Sequence, residues 1–441
     1  MDSSDALIAR FLALHPKTID LSLGRIQRLL AQLGHPERRL PPTIHVAGTN
    51  GKGSTIAFMR AILESAGLAV HVYTSPHLVR FHERIRLGRL GGGRYVEEER
   101  LVEALRHCEK VNDGAPITVF EITTAAALLL FSEEPADVLL LEVGLGGRYD
   151  ATNVIDTPAA AVVTSIGHDH AEYLGTSLEG IAREKAGIFK RSCPAVIAAQ
   201  DYVVADDTLR AEAERVGAAP ILVGAQDFSV HEESGRLVYQ DERGLLDLPL
   251  PKLVGRHQYI NAGTAVAALR VAGFERFETS AFEAGLVRAE WPGRLQRLAK
   301  GRLPEIAPQG CEIWLDGGHN ADGGRVLAAA MADRSETSDA PLVLIAGMLG
   351  TKDSETFFKN FQGLAREVIA VPIPGQIAAR PAEEVASIAG SVGLTVSTKP
   401  SVEAALASLH DYVWDRPPRI LICGSLYLVG EVLAANGTLP E

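Results

Sequence analysis

"VAGTNGKGSTIAFM", residues 46–59, crowds three glycines and three hydroxyl residues around one lysine, Lys52. The run "TIHVAG" (43–48) before it reads as a strand, and "GKGSTIAFMRAILESAG" (51–67) as a helix closed by Gly67. A strand that passes through a glycine-rich turn into a helix offers backbone N–H groups and a positive dipole end to an anion. That dipole end disfavours cations, so a lysine placed there implies an anionic partner, a nucleotide phosphate. The expected phosphate contacts are Gly48, Thr49, Asn50, Gly51, Lys52, Gly53 and Ser54. The stretch departs from G-x-x-x-x-G-K-[ST]: Val46 and Gly53 stand where Gly and Ser/Thr belong, with Gly48 and Ser54 displaced.

Working outward, "AVHVYTS" (69–75), "ADVLLLEVG" (136–144) and "AAAVVTSIG" (159–167) are apolar runs of the kind a sheet buried on both faces requires. Strands alternating with helical patterns predict an α/β fold with a parallel sheet, whose ligands bind beyond the carboxyl ends of the strands. "VHEESGRLVYQDERG" (230–244) reads as an edge hairpin. The pattern restarts after "AEWPGRLQRL" (289–298), with "EIWLDGGHNADGG" (312–324), "PLVLIAGML" (341–349), "EVIAVPI" (367–373) and "RILICGSLY" (419–427). This predicts a nucleotide-binding domain over 1–298 and a smaller Rossmann-like α/β domain over 299–441.

With 441 residues, 46% hydrophobic and 22% charged, the chain has material for a well-cored globular protein. The net charge of −12 argues against nucleic acid as a partner. Cys108, Cys193, Cys311 and Cys423 are scattered without a C-x-x-C pair, against a disulfide framework or structural zinc. The start carries no signal pattern and no run reaches a membrane span, so a cytoplasmic enzyme is expected.

Three residues stand at the ends of neighbouring strands: Ser75 in "YTSPHL", Glu142 in "LLLEVG" and His170 in "SIGHDH". In a parallel sheet they share the edge that carries the phosphate loop. Hydroxyl, carboxylate and imidazole there suit Mg²⁺. The alternatives are an ion pair of Glu142 with Arg148, and a packing role for either histidine of "GHDH". In "SLEGIAREKAGIFK" (177–190) Lys185 reads from the pattern alone as part of a solvated charged face. Gly144, Gly146 and Gly147 in "VGLGGRYDATNV" (143–154) miss the dinucleotide spacing at the third glycine.

Taken together, "GTNGKGS", "TSPHL", "FEITTAAA", "EVGLGGRYDATN", "HDHAEYLG", "REKAGIFK", "GRHQYINAGTA", "WPGR" and "LDGGHN" resemble, in this order, the folylpolyglutamate synthase and dihydrofolate synthase family, relatives of the Mur ligases. The resemblance spans residues 20–432, and the family's loop shares the departures noted above. It implies a Mur-ligase-like fold and a monomeric ATP-dependent amide ligase of the bacterial bifunctional type. Such an enzyme adds L-glutamate to dihydropteroate and to reduced folates through an acyl phosphate. It implies Lys52, Lys185 and His170 as catalytic residues, with Ser75, Glu142 and His170 as Mg²⁺ ligands. Lys185 matches a family lysine carbamylated by CO₂, an anion able to hold a second Mg²⁺, which reverses the bland reading of that residue. Asn261, Arg294 and Asp316 match adenine-nucleotide contacts. Phe120, Glu121, Ile122, Thr123, Asp150, Ala151 and Thr152, joined by Ser22, Leu23, Gly24 and Arg25, match the pterin side. His319 and Ser425 are implied substrate contacts as well. Gly318 and Ala321 replace residues of the family's D-x-A-H-N-P, and Thr351 stands in "GMLGTKD" where an Asp is common.

Two narrower or rival readings remain: polyglutamylation alone, and another Mur-type ligase acting on a nucleotide-linked muramyl peptide. A nucleotide switch protein leaves Glu142, Lys185 and a second α/β domain without a task. A dinucleotide oxidoreductase is weaker still.

Overall fold

The computed structural model describes residues 3–15, 19–274, 277–336 and 338–440. The first sheet has eight strands: β1 (Thr43–Ala47), β2 (Val70–Tyr73), β3 (Ile85–Leu87), β4 (Arg94–Tyr95), β5 (Val138–Glu142), β6 (Ala160–Val163), β7 (Ala195–Ile197) and β8 (Ile221–Val223). Their order is β4-β3-β2-β5-β1-β6-β7-β8. All neighbours run parallel except β2–β3 and β3–β4. The expected buried parallel sheet is present. β1, β2, β5 and β6 are buried at every residue, which explains why they read as unbroken apolar runs rather than alternating ones.

One face of this sheet packs on the helices Lys52–Ser65, His257–Leu269 and Thr279–Arg288, with Ile56, Phe58, Ile62, Val266 and Phe282 in the shared core. Part of the other face is covered by Gly24–Gln32, Glu98–Asn112 and Val119–Glu133. Each fully buried Leu, Ile or Val here contributes about 1.5–3 kcal/mol. The helix Val119–Glu133 is started by a capping box, Thr118 with Glu121.

The expected hairpin at 230–244 is part of a separate three-stranded antiparallel sheet, β9 (Phe228–Glu233), β10 (Arg236–Asp241) and β11 (Gly244–Pro249), and not an edge of the main one. Leu237, Tyr239 and Leu248 give it an apolar face that joins the first core, so it packs on helices rather than extending the large sheet.

A six-stranded sheet follows: β12 (Gln296–Arg297), β13 (Glu312–Leu315), β14 (Leu342–Ala346), β15 (Ala365–Ala370), β16 (Val396–Thr398) and β17 (Arg419–Cys423), in the order β12-β13-β17-β14-β15-β16. Only β12 is antiparallel to its neighbour. Because β12 lies before residue 299, this sheet begins a few residues earlier than the restart of the apolar pattern suggests. The segment after β2 ties the halves together, with Leu78 and Val79 packed against the core of the second sheet. Among the described residues no helix is long and apolar enough to cross a membrane.

Candidate active site

The register of the first sheet sets the site. Val46 pairs with Glu142 and Ala47 with Val163, so the carboxyl ends of β1, β5 and β6 lie side by side, with Ser75 just beyond β2. The phosphate loop is fastened to the loop after β6. Thr49 N donates to Ser165 O at 2.8 Å, and Thr164 Oγ1 donates to Asn50 O at 2.7 Å. Gly51 opens the helix Lys52–Ser65 in the left-handed region, φ 88°, against the Asn261 side chain. A Cβ on Gly53 would come within 2.6 Å of the Trp291 ring, which is why glycine stands at the usual Ser/Thr position.

Lys52 Nζ donates to the carbonyls of Gly48 (2.9 Å) and Thr49 (3.3 Å). Lys185 Nζ donates to the same Gly48 carbonyl at 3.0 Å. Lys185 is only 5% exposed at the end of the helix Leu178–Lys185, so the solvated-face reading from the pattern fails. Its surroundings explain the motif. A Cβ on Gly147 would sit 2.7 Å from Glu184 O, so glycine lets the "GLGGR" loop lie directly on "REKAG". Burial first, then the Lys52 charge, pushes the Lys185 ammonium down to about 7. Burial lowers Lys52 as well, opposed by Glu142 and Asp169.

Glu142 is 5% exposed, and burial raises it above the usual carboxylate range, against the pull of Lys52. Its one hydrogen bond among the described residues comes from Ser75 N, at 3.2 Å. Arg148 lies by Glu184 and Glu212, so the alternative ion pair with Glu142 is not formed. Ser75 and Glu142 line one cleft with Gly53, Trp291 and Arg294. His170 begins the short helix Ala171–Leu174 at the rim, its side chain 42% exposed, near enough to feel Lys52 and Lys185. Among the described residues no three His, Cys, Asp or Glu side chains form a metal cage. What is present is a buried carboxylate, Glu142, with spare acceptor capacity beside Ser75, while the His170 imidazole lies next to Asp169 and does not line that cleft. The Glu142 carboxylate and the Ser75 hydroxyl are hard oxygen donors of the kind Mg²⁺ takes when phosphate oxygens complete its shell.

At the junction of the halves, Asn261 Nδ2 donates to Gln258 Oε1 at 3.0 Å, and Arg294 Nη1 to Gly293 O at 3.2 Å. Asp316 accepts from Leu295 N (2.8 Å) and Gly318 N (2.6 Å), shaping the glycine turn after β13. Ser425 is buried and caps the helix Leu426–Asn436 by accepting from Tyr427 N at 3.1 Å. His319 Nδ1 lies 2.7 Å from Gly317 O, and its Nε2 lies 3.3 Å from Asp169 Oδ2.

The residues matched to the pterin side form a different environment. Arg25 Nε reaches both Glu121 oxygens, at 3.1 and 2.9 Å, and its Nη1 donates to Asp20 at 2.9 Å. Asp150 accepts from Leu145 N (2.9 Å), Thr152 N (2.9 Å) and Thr152 Oγ1 (2.5 Å). Thr152 Oγ1 is in turn 2.9 Å from His45 Nε2. Phe120 is half-buried with its ring against Gly144, while Ile122, Thr123 and Ala151 are buried. Ser22 and Leu23 are half-buried and Gly24 is exposed.

Motif reading passed over three residues here. Asp169, between the two histidines of "GHDH", receives Lys352 Nζ at 2.5 Å, and Asn320 Nδ2 reaches Asn50 Oδ1 at 3.1 Å. Burial works against the Asp169 charge, yet the His319 hydrogen bond and the His319, His170 and Lys352 charges hold it well below the usual range. An acid flanked by histidines, and the lysine of "GTKD", were the available signals.

Residues 46–269 match the Mur ligase middle domain, and residues 300–435 the dihydrofolate synthetase C-terminal domain. The chain is 37% identical over 371 residues to the dihydrofolate synthase/folylpolyglutamate synthase of Bacillus subtilis, covering 78% of this chain and 80% of that protein. Its structure is similar to E. coli FolC in complex with DHPP and ADP, with a TM-score of 0.86, 32% identity and coverage of 98% and 97% of the two chains. The Yersinia pestis bifunctional enzyme complexed with AMPPNP and Mn ion gives a TM-score of 0.85 at 30% identity, covering 99% and 98%.

Proposed function

Since the chain belongs to the dihydrofolate synthase/folylpolyglutamate synthase family, we propose that it is an ATP-dependent ligase joining L-glutamate to dihydropteroate and to reduced folates. The observation that carries this reading is the convergence of Lys52 and Lys185 on one carbonyl beside the buried Glu142. Two lysine amines and a carboxylate are gathered there with acceptors and donors to spare.

A carboxylate oxygen of the pterin substrate attacks the γ-phosphorus, the bond to ADP breaks, and an acyl phosphate forms. The glutamate amine then attacks the acyl carbon; the C–O bond breaks, phosphate leaves and the amine proton is released. Lys52 exchanges its loop carbonyls for phosphate oxygens as charge develops, and the N–H groups of the loop do the same. Ser75, Glu142 and His170 are the residues that would hold Mg²⁺, which would supply charge neutralisation on the phosphates. The low Lys185 value favours the neutral amine that adds to CO₂, losing a proton to become a carbamate suited to a second Mg²⁺. Asn261, Arg294 and Asp316 serve the nucleotide. Residues 1–298 supply the ATP and pterin sides, with Ser22 to Arg25, Phe120 to Thr123 and Asp150 to Thr152 around the pterin. Residues 299–441 supply Asp316 to the nucleotide, with His319 and Ser425 on the substrate side.

The test is ADP formation from ATP and glutamate with either dihydropteroate or tetrahydrofolate. Glutamate-dependent ADP with both is expected. Activity with tetrahydrofolate alone reduces the protein to a polyglutamylating enzyme, and activity with neither removes the proposal.

A further inference from the structure

The chain carries a net charge of −12, yet residues 80–94 hold Arg80, Arg84, Arg86, Arg89 and Arg94 against one acid, Glu83. That acid is already engaged. Its carboxylate accepts from the backbone N–H groups of Leu78 (2.8 Å), Val79 (3.0 Å) and Arg80 (2.7 Å). The stretch builds the outer strands β3 and β4, and Tyr95 at the end of β4 lines the same cleft as Ser75 and Glu142.

β3 buries Ile85 and Leu87 in the core behind the sheet, which turns Arg86 to the opposite face. There its guanidinium carbon lies 5.6 Å from the centre of the Tyr95 ring. Arg60 comes to the same place from the helix Lys52–Ser65, about 12 Å down the helix axis from Lys52. Both guanidiniums lie 4.0 Å from the Glu64 carboxylate, whose Oε1 also accepts from Gly93 N at 3.0 Å. The two side chains are 17% and 15% exposed, and Arg60 Nε is buried with no hydrogen-bond partner among the described residues. Burial lowers the Arg86 guanidinium and the Arg60 charge lowers it further, against the pull of Glu64 and Tyr95. Two cations thus share one carboxylate at the limit of ion-pair distance in a largely desolvated place, which favours a further anion.

We propose that Arg60 and Arg86 form a subsite for the α-carboxylates of a γ-linked glutamate tail, so that the cleft prefers folates that are already glutamylated. This inference rests on the ligase reading above, in which the reacting carboxylate meets the γ-phosphate at the start of the helix Lys52–Ser65. A glutamylated folate places its terminal γ-carboxylate there, and each preceding residue leaves one α-carboxylate trailing out of the cleft past Tyr95. Guanidinium groups donate to carboxylates through two parallel N–H bonds, which suits them to such a tail. Dihydropteroate carries its carboxylate directly on an aromatic ring and has no tail, so it makes no use of the pair.

The experiment measures glutamate-dependent ADP release by the full chain with dihydropteroate and with tetrahydropteroyl mono-, di- and triglutamate, for the parent, Arg60→Met, Arg86→Met and Arg86→Lys. Each Met variant is expected to raise KM for the triglutamate about tenfold, the loss of one charged hydrogen-bonding partner, with a smaller rise for the monoglutamate. Arg86→Lys should fall between, because it keeps the charge and loses the fork. KM for dihydropteroate should stay as in the parent, and added salt should raise KM for the triglutamate more in the parent than in either Met variant. An unchanged triglutamate KM in the folded Met variants overturns the subsite, as does an equal rise for dihydropteroate, and the ligase reading stands in both cases. Turnover of dihydropteroate with none of the glutamylated substrates used overturns it too. If the parent releases no glutamate-dependent ADP with any of the four, the ligase reading itself fails and the subsite goes with it. Should one Met variant not fold, the other and Arg86→Lys decide.

Discussion

At the phosphate loop Lys52 and Lys185 crowd onto the Gly48 carbonyl, and the Glu142 carboxylate accepts a single backbone N–H. Around Asp150 and Glu121 the buried charges are equally numerous but fully engaged. Asp150 takes three donors, and Glu121 takes Arg25 together with the backbone and hydroxyl of Thr118. Burying a charge without partners is costly. A fold keeps such groups where an incoming ligand completes them, and saturates them where the protein only needs a shape. The first cluster is therefore read as machinery that meets ligand atoms. The second is read as a frame that fixes Arg25 against the start of the helix Val119–Glu133 and the Asp150–Thr152 turn against His45 in β1.

The sharpest way to break this contrast is at Lys52 and Glu142. Lys52→Ala and Glu142→Ala should each lower kcat by about 10²–10³, the loss of one preorganised electrostatic group. Thermal unfolding should change little, because the hydrogen bonds lost at Lys52 or Glu142 are offset by no longer burying an incompletely partnered charge. Steady-state ADP release and a melting curve check both halves of the statement. A large fall in melting temperature with turnover preserved would place these residues in the frame instead.

Lys185 comes next. Its ammonium is lowered from 10.5 to about 7, so the neutral amine gains population as pH rises through about 7. Carbamate formation should follow, with a labelled-CO₂ carbon resonance weak at about pH 6 and strong at about pH 8, opposite to a protonated lysine held in an ion pair. Lys185→Ala should be close to inactive and partly rescued by acetate. A rescue-free variant with no labelled signal in the parent at either pH removes the carbamate.

How much of this was legible beforehand follows from what each signal measures. The buried strands announced themselves through unbroken apolar runs such as "VLLLE", and the loop through glycines around Lys52. Burial of Lys185 was invisible to periodicity, because it depends on Gly147 allowing a distant loop to cover it. The three-stranded sheet was half legible: its polar turns showed, but its packing on the helix His257–Leu269 is a long-range choice. Asp169 and Lys352 lie 183 residues apart, and no local pattern carries such a pairing.

On the frame side, Glu121→Gln should lower stability by about 1–3 kcal/mol, since Arg25 and the Thr118 capping box lose a charged acceptor. Its signature is a lower denaturant midpoint and a raised KM for the pterin substrate, with kcat at saturation largely kept. An unchanged midpoint combined with a collapse in kcat would move Glu121 into the machinery.

The smallest effect, and the finest test, belongs to Thr152→Val. Valine keeps the shape and removes one hydroxyl from the chain His45–Thr152–Asp150. Asp150 retains two backbone donors, from Leu145 and Thr152, so its charge stays satisfied. His45 is fully buried and held neutral, its value pushed by burial, with Lys190 assisting, down to about 3; its Nε2 loses an acceptor. The net loss should be about 1–2 kcal/mol, the cost of one buried polar group left unpaired. Denaturant titration reads that loss, while kcat and the KM for ATP should stay within about twofold, under 0.5 kcal/mol of barrier. If turnover instead falls tenfold with the midpoint unmoved, the Asp150 side chain acts on ligand atoms through Thr152. The distinction between saturated frame and unsaturated machinery then fails at the position where it is drawn most finely.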